Sequence, residues 1–400
     1  MLYASPHLDL DDHRVLDELA AMRAELADYL RVPRRWTGRL RRTALARAIQ
    51  GSNSIEGYHV DLDDADAALD DEEPMSADER TFAEIRGYRQ ALGYVLAMAA
   101  DPHFTLDASA LRSMHFMMLA HDLGKSPGQY RHREIYVHDD RTEQVVYTGP
   151  DGDEVAGLMG ELVGDLNRSS DEDPLVHAAM AHLNLVMIHP FRDGNGRMAR
   201  ALQTLVLARR GLAEPEFASI EEWLGANTDD YYRVLALTGR GSWAPERDAH
   251  LWVTFNLRAH HMQAQTVRRR LRRAQRTYEI LDALLAEQRV PDRTIDALYS
   301  ALLGFRLRRP TYVDQTGIDE RTASRDFKAL TDVGLLRPVG ETRGRHYVAG
   351  DALVTVRAEL GPSEPLEDPY PWMKAELVRP PTGVVTDGVT RKPGETRGAV

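Results

Sequence analysis

Along most of the chain, apolar side chains return every third or fourth residue, the period of a helix with one buried face. Leu16, Leu19, Met22, Leu26 and Leu30 mark such a face in residues 12–31, and a second helical pattern runs through 39–50. The period returns in 81–100, 106–121 and 155–167. Val176 to Ile188 is apolar nearly all round (Met180, Leu183, Leu185, Met187), which predicts a buried helix stopping at His189-Pro190. A further helix is predicted from Asn195 to Arg209, with Leu202, Leu205 and Val206 inward and Gly211 as its stop. Residues 249–289 read as one long helix or two. Two short β-prone runs, Ile135-Tyr136-Val137 and Val145-Val146-Tyr147, flank the polar Asp139-Asp140-Arg141-Thr142 and predict a β-hairpin set into a helical domain.

This pattern divides the chain into an N-terminal helical region (1–100), a helical core (101–260), a connecting helix (261–293) and a small module (294–350). Acidic residues crowd 61–79, broken by Pro74, and predict a solvated connector or exposed helix face. The basic run Arg268-Arg269-Arg270-Leu271-Arg272-Arg273 likewise predicts a solvated helix face. From Gly361 onward Pro, Gly and charge dominate, and 361–400 is expected to be a disordered tail.

Composition changes this picture little. Four hundred residues exceed one ordinary core, in keeping with several domains. An apolar share of 43% and a charged share of 28% are those of a soluble globular protein. No run of about eighteen apolar residues occurs, so a cytoplasmic location is expected. With no cysteine, any metal must be held by oxygen or imidazole. A net charge of -12 argues against a uniformly basic nucleic-acid binder. Only Lys125, Lys328, Lys374 and Lys392 are lysines, an arginine bias expected of a GC-rich bacterial genome.

The chemistry concentrates in residues 189–200, His-Pro-Phe-Arg-Asp-Gly-Asn-Gly-Arg-Met-Ala-Arg, on a loop between two helices and the first turn of the second. A helix N-terminus presents unpaired N–H groups and partial positive charge, and so attracts anions. Gly194 and Gly196 flank Asn195 and let backbone approach a phosphate closely. Arg197 and Arg200, three residues apart, project from one face, and guanidinium forks suit phosphate oxygens. Asp193 offers a hard oxygen to Mg²⁺, and a neutral His189 can take a proton from a hydroxyl.

This segment matches, at every defined position, the signature His-Pro-Phe-x-Asp-Gly-Asn-Gly-Arg-x-x-Arg, and the chain from about 40 to 260 resembles Fic (Fic/DOC) domains. The resemblance implies a mainly α fold: a Fic-type helical core with a β-hairpin flap. Most family members transfer AMP from ATP to a protein hydroxyl. On that basis His189 would be the general base and Asp193 the Mg²⁺ ligand. Gly194, Asn195 and Gly196 would form the anion hole, with Arg197 and Arg200 on the distal phosphates. Tyr231 and Tyr232 look like the tyrosine pair lining the adenosine pocket. The flap, with Ile135, Tyr136 and Val137 in its first strand, would clamp a target peptide by strand addition. It departs from the family pattern at His138, where a glycine is common, and at Gly149-Pro150, where a proline pair is common.

Upstream, Ser52-Asn53-Ser54-Ile55-Glu56-Gly57 closes a helical pattern over about 39–57 and is similar to the inhibitory motif of the same family. Ser52 and Glu56 share a helix face. The resemblance implies that Glu56 pairs with Arg200 and blocks placement of the γ-phosphate. The module at 294–350 reads as helices Ile295–Leu303, Thr311–Thr316 and Glu320–Val333, then a Leu335–Val348 hairpin tipped by Gly340-Glu341-Thr342-Arg343-Gly344-Arg345. It resembles a winged helix-turn-helix domain, with Arg321, Arg325 and Lys328 along one face of its third helix.

Together these readings predict a self-inhibited protein adenylyltransferase using ATP and Mg²⁺ on a Ser, Thr or Tyr of an unspecified target. The sequence also allows self-modification, a homodimer and DNA contact through residues 311–348. The alternatives are a DNA-binding regulator with a nucleotide-sensing core, and a Fic transferase using another phosphodiester donor.

Overall fold

The computed structural model describes residues 1–31, 34–138, 144–168, 170–212, 219–341, 345–361 and 364–378. Three helices near the site begin where a side chain captures a free amide. Asp78 accepts from Thr81 N (2.8 Å) to start α4 (Glu79–Ala100), after α1 (Leu10–Arg31), α2 (Thr37–Ile55) and α3 (Leu62–Ala67). Asp107 caps α5 (Ala108–Leu119) through Ala110 N, and α6 (Val155–Leu166) follows the hairpin. Asp173 accepts from Leu175 N with Pro174 in the first turn of α7 (Pro174–Ile188). α8 (Asn195–Leu207) runs back beside α7, so the connecting loop 189–194 is presented at one end of a buried helix pair.

One apolar core joins α1, α2, α4 to α8 and the first half of a 39-residue helix. Ile49, Tyr88, Leu183, Leu202 and Trp252 all belong to it. The N-terminal region is therefore part of the same core as residues 101–260. After α9 (Glu221–Ala226) and α10 (Thr228–Gly239), the long helix α11 (His250–Gln288) is continuous; the expected connecting helix begins at 250 instead of 261. Its second half enters another core with α12 (Ile295–Leu302), α13 (Arg309–Thr316), α14 (Glu320–Asp332) and the C-terminal hairpin. That hairpin pairs β3 (Leu336–Val339) with β4 (His346–Ala349), and Leu307 bridges to Tyr347 as an extra rung. Phe327 of α14 stacks on Tyr347 (centroids 4.3 Å apart). The elements predicted there occur in the predicted order, and α15 (Asp351–Glu359) extends the unit. Part of the expected wing tip, 342–344, lies outside the described residues.

Two expectations need correction. The acidic run is not a solvated connector: Arg306 reaches Asp61, Asp63 and Asp64, Arg308 pairs with Glu72, and Arg42 pairs with Asp66. Asp64 is itself buried and accepts from Met75, Ser76 and Ala77. Charge spacing alone shows no partner, and Arg306 and Arg308 come from 243 and 236 residues away. Nor does disorder begin at 361. Residues 364–378 run back over the first core and end in α16 (Met373–Val378), where Tyr370 donates to Asp12 (2.9 Å) and Arg258 pairs with Asp368 (2.7 Å). Tyr370, Met373 and Leu377 are the buried apolar anchors that a Pro-rich composition conceals. Residues 379–400 lie outside the description.

Candidate active site

α7 ends because His189 adopts the left-handed conformation (φ 51°), which turns the chain into the loop. That geometry is costly for a non-glycine residue and persists only where its surroundings impose it. Arg131 supplies much of the constraint. Its Nε donates to the His189 carbonyl (2.8 Å), Nη2 to those of Ile188 and Pro150, and Nη1 to that of Arg133. One buried guanidinium thus ties the base of the flap to the loop. Its importance carried no signal in the sequence beyond proximity to the hairpin.

The rest of the loop is closed from within. Asn195 donates to the Phe191 carbonyl and accepts from its amide, both at 2.9 Å, so this side chain braces the turn. Phe191 is buried against the ring of His115 (3.7 Å, nearly parallel). The Gly128 amide donates to His115 Nδ1 (2.8 Å), so the proton sits on Nε2, which donates to the Asp193 carbonyl (2.9 Å). Burial pulls this imidazole down to about 4, which keeps it neutral. Gly194 takes φ 76° at the start of α8.

His189 is partly buried, and burial, with the nearby Arg131 charge, lowers it to about 4. Nδ1 lies 3.2 Å from the Val186 carbonyl, where it can only donate. Nε2 is therefore the basic nitrogen, available at neutral pH. Asp193 accepts from the Gly194 amide (2.6 Å) and from Lys125 Nζ (2.8 Å). Burial alone would raise its pKa, but the Lys125 ammonium holds it below the usual carboxylate range. Lys125 also reaches Glu84 (2.6 Å) and was missed by the motif reading. Its one signal was rarity, a lysine in an arginine-rich chain.

The two motif arginines part company. Arg197 does not face the site: its Nη1 is buried against Glu84 of α4 (2.6 Å). The expectation that it meets the distal phosphates is corrected by that pair. Burial works against the Glu84 charge, yet Arg197 and Lys125 bring its pKa down to about 2. Arg200 instead faces α2. Nε donates to Ser52 Oγ (2.8 Å), and Nη2 to the Ser52 carbonyl (2.9 Å) and Glu56 Oε1 (2.7 Å). Nη1 is buried with no hydrogen-bond partner among the described residues. A Cβ built on Gly196 would stand 2.5 Å from Glu56 Oε1, so the Glu56 carboxylate lies directly on the first turn of α8. α2 is fixed there by a glycine crossing, where a Cβ on Gly51 would lie 2.3 Å from the Glu221 carbonyl oxygen at the start of α9.

The tyrosines also differ. Tyr231 is 1% exposed, its hydroxyl bonded to His182 (3.0 Å) and its ring beneath Arg200, so it cannot line an open pocket. Helical phase turns Tyr231 inward and leaves Tyr232 47% exposed, donating to the Ile55 carbonyl at the end of α2. The flap pairs β1 (Tyr136–His138) with β2 (Val145–Thr148), Tyr136 facing Thr148 and Val137 facing Tyr147. Ile135 precedes the strand and packs on Gly149. Tyr136 and Val145 are about half exposed. The polar connection 139–143 lies outside the described residues.

A helical core that presents an anion-attracting helix terminus beside a neutral imidazole and a buried arginine defines the class of protein. Residues 105–207 match the model of the Fic/DOC family. Protein adenylyltransferase Fic of Culex quinquefasciatus is 28% identical over 235 residues, 55% of this chain and 44% of that protein. The Drosophila melanogaster protein of the same name is 28% identical over 265 residues, 62% of this chain and 50% of that one. The chain thus spans about half the length of these curated relatives. A Fic family protein from Desulfovibrio desulfuricans G20 is similar in structure, with TM-score 0.53 and 25% identity over 87% of this chain and 99% of that one.

Proposed function

We propose that this protein transfers AMP from ATP to a Ser, Thr or Tyr hydroxyl of a target protein, and that the described conformation is its self-inhibited state. The observation that carries the reading is the neutral His189 imidazole beside the α8 N-terminus, with Arg200 occupied by Glu56. The acceptor oxygen attacks the α-phosphorus while its proton passes to His189 Nε2. The bond from the α-phosphorus to the β-phosphate oxygen breaks, and pyrophosphate leaves. Amides of Gly194 to Gly196 and the helix terminus stabilise the charge that develops. The orphaned Nη1 of Arg200 supports a role with the terminal phosphate once Glu56 moves aside.

Asp193 would hold Mg²⁺: it is a partly exposed carboxylate at the rim of the anion site, where Lys125 now balances its charge. The ion would neutralise phosphate charge. The flap supports grip on the target, because among the described residues nothing pairs with the outer edge of Tyr136 and Val137. Incubation of Glu56→Gly protein with α-labelled ATP and Mg²⁺ should label protein. Glu56→Gly/His189→Ala should not, and equal labelling in both would refute His189 as base.

A second reading, DNA contact through residues 311–348, rests on Arg321, Arg325 and Lys328, exposed together on α14. A gel shift against genomic fragments that weakens steeply with salt would support it.

A further inference from the structure

A cavity of about 350 Å³, not lined by His189 or its loop, lies where α2, α11, α12 and α15 meet. Its volume falls within the range of small-molecule sites, which begins at roughly 300 Å³. Arg47 of α2, Arg270 and Arg273 of α11 and Arg357 of α15 line it, with Tyr299 of α12. The ion pairs these arginines make go to one carboxylate: Glu222 meets Arg47 at 3.2 Å and Arg270 at 2.5 and 2.6 Å. Arg273 donates only to the carbonyls of Leu360 and Gly361, and Arg357 only to that of Leu302. Among the described residues neither makes an ion pair.

Four guanidinium groups against one carboxylate leave an excess of like charge, which is costly where the groups are buried. Arg47 registers that cost: burial, then the Arg270 charge, lowers its pKa, and its Nε is buried with no partner among the described residues. The Tyr299 side chain is buried against the cavity, and its hydroxyl makes no hydrogen bond among the described residues. The remaining wall is Thr43 and Thr277 with Leu40, Leu302, Leu303 and Leu360. Guanidinium forks beside leucine side chains suit a phosphate carried on a ring or short apolar body.

We propose that this cavity binds a small phosphorylated ligand with an aromatic or apolar body, of about the size of a nucleoside monophosphate. The phosphate lies between Arg273 and Arg357 within reach of Arg47, and the body packs on Tyr299 and the leucines. The occupant bridges the C-terminal unit and α2, the helix that also carries Ser52 and Glu56. This site is independent of adenylyl transfer at His189.

Fluorescence titration of the full chain with 1-naphthyl phosphate tests it. Saturable binding is expected, weakened at least tenfold in Arg273→Gln/Arg357→Gln and unchanged in Arg200→Ala, with 1-naphthol far weaker. Tyr299→Phe, which removes one hydroxyl, should weaken binding severalfold and keeps the test sound should the double variant misfold. Equal affinity in wild type and the arginine variant, loss of binding in Arg200→Ala, or equal binding of naphthol would each overturn the proposal.

Discussion

Glu56 Oε1 accepts from Arg200 Nη2 at 2.7 Å while resting on the first turn of α8, so one carboxylate covers both the arginine and the helix terminus. A phosphate seeking either group must displace it. Arg200 stays buried and triply bonded on the α2 side, and its Nη1 has no hydrogen-bond partner among the described residues.

Glu56→Gly should therefore open the site to nucleotide. Ligand that binds only the folded state stabilises it by RT ln(1 + [L]/Kd). At millimolar ATP, the rise in melting temperature should be several degrees larger in Glu56→Gly than in wild type. Equal shifts in scanning fluorimetry would argue against competition for Arg200.

Acid should destabilise the fold before the carboxylates titrate. Burial lowers His115 and His189 to about 4 and His182 and His260 to about 3, against an ordinary 6.5. The unfolded chain binds these protons more tightly, so stability is full above pH 6.5 and falls as pH drops toward 4. Each such proton contributes about 1.4 kcal/mol per pH unit. Urea midpoints should decline steadily between pH 7 and 5; a flat profile would contradict buried neutral imidazoles.

The Glu84–Arg197 pair should matter for stability and not for nucleotide contact. Glu84→Leu leaves a buried guanidinium unpaired and should cost about 3–5 kcal/mol. Glu84→Leu/Arg197→Met, which removes both charges, should recover most of that in equilibrium unfolding. Failure to recover would place Arg197 in some further role.

The adjacent tyrosines should separate in the same way. Tyr231→Ala opens a cavity in the first core and should cost about 3–5 kcal/mol, as other large-to-small core changes do. Tyr232→Ala should leave the melting curve nearly unchanged but weaken ATP binding to the Glu56→Gly protein. Comparable stability losses at both positions would show that exposure does not distinguish them.

The site was legible to different depths. The motif showed its own anion-binding turn, because Gly194, Asn195 and the start of α8 are local features. The Ser52–Glu56 spacing showed one helix face, and the resemblance supplied its partner, which the fold brings together. Lys125, Glu84, Arg131 and His115 were not legible, since each reaches the loop from another element.

Sequence alone determined the helical periods, the position of the hairpin, the turn at 189–194 and the chemistry available on it, because these depend on neighbours a few residues apart. Tertiary structure decided which of two equally spaced arginines meets α2, which tyrosine is buried, and that the acidic run grips Arg306 and Arg308. Local spacing places a side chain on a face. Its role depends on what distant segment packs there, and the burial of Arg197 beside Glu84 and of Arg200 beside Glu56 is a property of α2, α4 and α8 folded together.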